Sequence, residues 1–115
     1  MIKYALFAFN GEAMCFMHVL LNALDMKARG AEAKIILEGA AAKLVPELYA
    51  AGSPLNGLWK KCLDAGLVEG VCDACSAKLG TREAARENGL PLLGDMSGHP
   101  SVAAYRAAGY EVILF

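Results

Sequence analysis

The chain has no apolar run near the ~20 residues that a membrane-spanning helix needs, and its first apolar stretch, Tyr4 to Phe9, is too short for the core of a secretion signal. It has no basic stripe: net charge is −1, the pI is near 6.1, and only Lys60 and Lys61 are adjacent cations. Nucleic acid is therefore not an expected partner, nor is a membrane. No GxGxxG follows a strand-like run and no GxxxxGK[ST] occurs, so the nucleotide-phosphate fingerprints are missing and no cofactor is expected. There is no Pro/Gly/Ser-rich linker, low-complexity tract or internal repeat, and 115 residues suit one domain, 1–115.

What is present is apolar. Of all residues, 57% are hydrophobic and 20% charged. A domain this small cannot hide that much apolar surface alone, so a homo-oligomer is expected. Without a leader or spanning segment, the expected location is cytoplasmic, where the four cysteines stay reduced and serve chemistry, metal binding or packing rather than disulfides.

The hydrophobic pattern alternates strand and helix. Strands are expected at 2–9, 33–37, 67–71, 90–93 and 110–115. Helices are expected at 12–29 (buried on most sides, with His18, Asn22, Asp25 and Arg29 as a polar stripe), 40–51 either bent at Pro46 or restarted by it, 55–65, 73–79, 82–88 capped by Thr81, and 97–108 with Pro100 in its first turn. Five such repeats predict an α/β protein: a flavodoxin-like three-layer sandwich around a roughly five-stranded parallel sheet.

Ligands of open parallel sheets bind beyond the C-terminal strand ends. That rule selects Asn10, Gly11 and Cys15 after the first strand, Cys72 and Cys75 after the third, and Asp95 and His99 after the fourth. A flavodoxin-like order would make strands one and three neighbours and bring Cys15 towards Cys72. Cys72 is the expected chemical thiol, because it ends a strand where the next helix offers unpaired N–H groups. Asp73 beside it either raises its pKa or turns onto those N–H groups as a cap. Cys75, one helical turn on, could resolve an oxidised Cys72, share a metal with it, or pack. His99 could move protons near neutral pH. His18 is read as solvated, and Cys62 and the five methionines as packing residues.

Glu38-Gly39 closes the second strand, "EGVCDACSAKLG" carries the third into its helix with Gly80 eight positions after Cys72, and "YEVILF" ends the chain. In these features the sequence resembles the DsrE/DsrF/TusD-like sulfur-relay family over nearly its whole length. The resemblance implies a cytosolic oligomer, a sulfurtransferase or sulfur carrier holding sulfane sulfur as a persulfide on Cys72, and a donor or acceptor protein as partner. Cys75, Cys15 and "GDMSGHPS" lie outside the general family pattern. They keep open an alternative: a small metal- or ligand-binding module using Cys15, Cys72, Cys75 and His99.

Overall fold

A computed structural model describes residues 1–115. Strands β1 (Lys3–Ala8), β2 (Glu32–Leu37), β3 (Val68–Cys72), β4 (Leu92–Leu93) and β5 (Glu111–Leu114) form one sheet, and every pairing in it is parallel. The helices are α1 (Ala13–Ala28), α2 (Val45–Tyr49), α3 (Asn56–Asp64), α4 (Asp73–Lys78), α5 (Arg82–Glu87) and α6 (Val102–Ala107), with a 3₁₀ stretch at Gly39–Leu44. The α/β sandwich and its five-stranded parallel sheet are as the pattern predicted. No helix is long and apolar enough to cross a membrane.

Alternation along the strands builds two cores of unequal size. Leu6 and Ala8 of β1 and Ile35 and Leu37 of β2 point to one face, where Phe16, Val19 and Leu20 of α1, Leu48 of α2, Trp59 of α3 and Ala85 of α5 cover them. Each such fully buried large side chain contributes about 1.5–3 kcal/mol. Ala5, Phe7 and Ile36 point the other way, against Tyr110, Tyr105 and Leu93. That second face carries polar groups and satisfies them. Lys34 Nζ donates to Glu69 Oε1 at 3.0 Å, Tyr105 donates to Glu69 Oε2 at 2.6 Å, and Tyr110 donates to Glu32. The bond to Glu69 holds the Lys34 ammonium above its ordinary pKa, while burial and then Glu69 hold the Tyr105 phenol above its own.

Several expectations change. Strand order is β4-β3-β2-β1-β5, so β2 separates β1 from β3 and the expected neighbourhood of Cys15 and Cys72 does not form. Helix α1 buries one face only: Met14, Cys15, His18, Leu21 and Asn22 are exposed. Near Pro46 the chain restarts, one of the two outcomes the sequence left open: the proline sits in the first turn of α2, as its fixed φ allows. Thr81 does not cap α5; its hydroxyl donates to Ala42 O at 2.7 Å and ties α5 to the 3₁₀ stretch. The last helix starts at Val102, where Ser101 Oγ accepts the Ala104 amide at 3.1 Å.

Gly70 lets β3 and β4 approach. A Cβ there would lie 2.4 Å from Pro91 O, and that carbonyl accepts the Val71 amide at 2.9 Å. Gly70→Ala is therefore expected to force the strands apart and cost about 2 kcal/mol, read as a fall of roughly 10 °C in Tm. An unchanged melting curve would remove this account of the glycine.

Candidate metal centre

Three β-to-loop junctions meet beyond the C-terminal ends of β2, β3 and β4. At the first, Glu38 follows β2 and is 6% exposed; its Oε1 accepts the Gly39 amide at 3.3 Å. At the second, Cys72 ends β3 and caps α4. Its Sγ accepts the Cys75 amide at 3.3 Å, so the thiol, and not Asp73, fills the capping position. Asp73 pairs instead with Arg82 at 2.8 Å. One turn of α4 then puts Cys75 on the same side as Cys72.

The third junction is a tight turn. Met96 and His99 exchange both backbone hydrogen bonds, at 2.8 and 2.9 Å, around Ser97 (φ 51°) and Gly98 (φ 89°). Two successive positive φ values define a primed two-residue turn, which is why residues 97–101 are not helical. The Gly98 carbonyl accepts the Ala74 amide at 2.8 Å, an N–H that the start of α4 would otherwise leave unpaired. The turn is thereby docked on α4 with His99 facing the cysteines.

The result is a cluster. Glu38, Cys72, Cys75 and His99 each offer one donor atom, and all four atoms lie within 4.8 Å of one another. His99 Nδ1 is 3.1 Å from Cys72 Sγ, 3.9 Å from Cys75 Sγ and 3.5 Å from Glu38 Oε1. Cys75 Sγ is 3.2 Å from Glu38 Oε1. Burial first, and then the Glu38 carboxylate, hold the Cys72 thiol well above the usual range. Cys72 is fully buried, Cys75 half-buried, and the His99 ring 41% exposed. Donors on a tetrahedron around zinc, at ~2.0–2.3 Å from the ion, stand about 3.3–3.8 Å apart, so these spacings suit one small cation.

The remaining sequence candidates lie elsewhere. Cys15 is exposed on α1 and is not one of the four. Asn10 makes a local turn, its Oδ1 accepting the Glu12 amide at 2.9 Å, and Gly11 abuts Lys43 and the Ala40 carbonyl. Asp95 accepts the Ser101 amide at 3.2 Å and lines a cavity of about 500 Å³ beneath α6, shared with Lys34, Glu69 and Tyr105. Cys62 is fully buried, its thiol pushed up to about 11 by burial. Glu38 was not singled out by sequence reasoning. Its only signal there is an acidic residue directly after an apolar strand, at the sheet edge where the other donors emerge.

Fold and cluster define a small three-layer α/β domain with a Cys₂–His–Glu centre at the C-terminal edge of its sheet. No family model matches the chain. It is 36% identical over 97 residues to Uncharacterized protein MJ0733 of Methanocaldococcus jannaschii, covering 84% of this chain and 77% of that one. It is 41% identical over 58 residues to an uncharacterized protein of Archaeoglobus fulgidus, covering 50% of this chain and 93% of that one. The chain belongs to the family of the Methanocaldococcus protein.

Proposed function

We propose that the protein binds a divalent transition metal, zinc before others, through Glu38, Cys72, Cys75 and His99. The observation that carries this reading is the mutual approach of the four donor atoms to within 4.8 Å. Two thiolates and an imidazole favour zinc over magnesium or calcium, which prefer all-oxygen sites. Four protein donors close the coordination shell, as in zinc centres that hold structure. A dithiol of this kind belongs in a reducing compartment, hence the cytoplasm. Exposed Phe9, Met14 and Met96 near the same sheet edge favour cover by a second copy of the chain. Protein purified without chelator is expected to carry about one zinc per chain by elemental analysis, with zinc absent from Cys75→Ala. A wild type that stays metal-free after incubation with excess zinc would overturn the reading.

Sulfur relay is the second reading. It is favoured by the amide that Cys75 donates to Cys72 Sγ, a contact that would equally hold a persulfide anion. The complete burial of Cys72 opposes exchange with a partner protein's thiol. Metal-free protein treated with a sulfane-sulfur donor would gain about 32 Da per sulfur, removable by reductant. An adduct absent from wild type, or undiminished in Cys72→Ser, would remove this reading.

A further inference from the structure

The two thiols of the cluster are not equivalent. Cys72 Sγ accepts an N–H bond from Cys75, lies 3.6 Å from the Gly98 carbonyl, and is sealed from solvent. An N–H donor draws charge from a thiolate, and a thiolate so stabilised is a weaker nucleophile. Cys75 Sγ meets the Glu38 carboxylate and the His99 ring but receives no backbone N–H. Residue Cys75 also lines a cavity of about 250 Å³, together with Gly39, Ala40, Lys78 and Leu79. The lining is almost wholly carbon, and Lys78 is an exposed cation at its rim.

We propose that, in the zinc-loaded protein, Cys75 is the reactive thiolate and accepts a small, soft carbon electrophile with an anionic leaving group through this cavity. The proposal rests on the metal reading above. A lone pair on Cys75 Sγ forms the new S–C bond. The bond from that carbon to the leaving group breaks, and the group departs with both electrons as an anion beside the Lys78 ammonium. No oxidant is required, and no proton is moved in the step, because the coordinated thiolate has already lost its own. The product is a neutral thioether at Cys75, a poorer zinc ligand than the thiolate it replaces. Cys72 keeps its bond to the metal during the step, so one thiol anchors the centre while the other reacts.

The test uses zinc-loaded Cys15→Ser protein, which lacks the exposed thiol outside the cluster, with iodoacetamide as the probe and peptide mapping by mass spectrometry. Elemental analysis precedes the reagent. Cys75 is expected to be alkylated about tenfold faster than Cys72. Ala40→Leu, which adds bulk to the cavity lining at a residue that supplies no donor atom, is expected to slow Cys75 by about tenfold while zinc stoichiometry stays unchanged. Equal rates at Cys72 and Cys75 with zinc present would overturn this proposal and leave the metal reading standing. An unchanged rate in zinc-loaded Ala40→Leu would do the same. Protein that takes up no zinc overturns both.

Discussion

Cys72→Ala is expected to abolish stoichiometric zinc binding, lowering affinity by more than about 100-fold. Removing a residue that only orients a ligand costs 10–100-fold, and Cys72 would supply a ligand atom itself. It also caps α4 through the Cys75 amide, so its loss loosens the helix that carries the other thiol. Cys15→Ser, on the exposed face of α1, is the matching control and is expected to leave zinc content unchanged. The affinity should also depend on pH, with a definite sign. Burial and Glu38 keep the Cys72 thiol protonated through neutral pH in the metal-free protein. Zinc uptake must then expel that proton, so the apparent affinity falls by about tenfold or more for each unit the pH is lowered. Competition against a chelating dye at several pH values measures this. A Cys72→Ala protein that retains one zinc per chain, or a pH-independent wild-type affinity, would remove Cys72 from the ligand set.

Stripping zinc with a strong chelator is expected to lower the melting temperature by roughly 15–30 °C. The ion would join the end of β2, the β3–α4 junction and the turn before α6, whose contacts at the cluster include a 3.2 Å thiol–carboxylate contact, a 3.1 Å thiol–imidazole contact and the hydrogen bond from the Ala74 amide to the Gly98 carbonyl. A ligand present at a thousand times its dissociation constant stabilises the folded state by about 4 kcal/mol. In a domain of this size each kcal/mol moves the midpoint by about 4–8 °C. Glu38→Gln, which keeps the shape but lowers the charge of one donor, is expected to show a smaller shift on chelation. Superimposable melting curves with and without one equivalent of zinc would mean that the centre contributes nothing to stability.

The strand–helix rhythm was legible because the strands are continuous apolar runs and the helices end in glycines. It was enough to put Cys72, Cys75 and His99 at one edge of the sheet, since strands of a parallel sheet present their C-terminal ends on one side. Strand order was not legible. It depends on which side each crossover returns, and periodicity does not encode that; this is why Cys15 was drawn towards Cys72 although β2 lies between their strands. Glu38 escaped because it carries no spacing signature: 34 positions separate it from Cys72, and only the pairing of β2 with β3 brings them together. The start of α6 was misplaced because Ser97 takes a positive φ, which a hydrophobic pattern cannot anticipate.

The position of β5 beside β1 sets an order on folding during synthesis. Strand β1 is translated before the other four strands, yet one of its two edges stays unpaired until residues 111–114 have been made and have left the ribosome. Until then "YALFA" is a ready template for pairing with other chains. The nascent protein can assemble its four-donor cluster as soon as His99 emerges, but not its complete sheet. Chaperone dependence, and aggregation on ribosome stalling, should therefore concentrate in the interval between these two events.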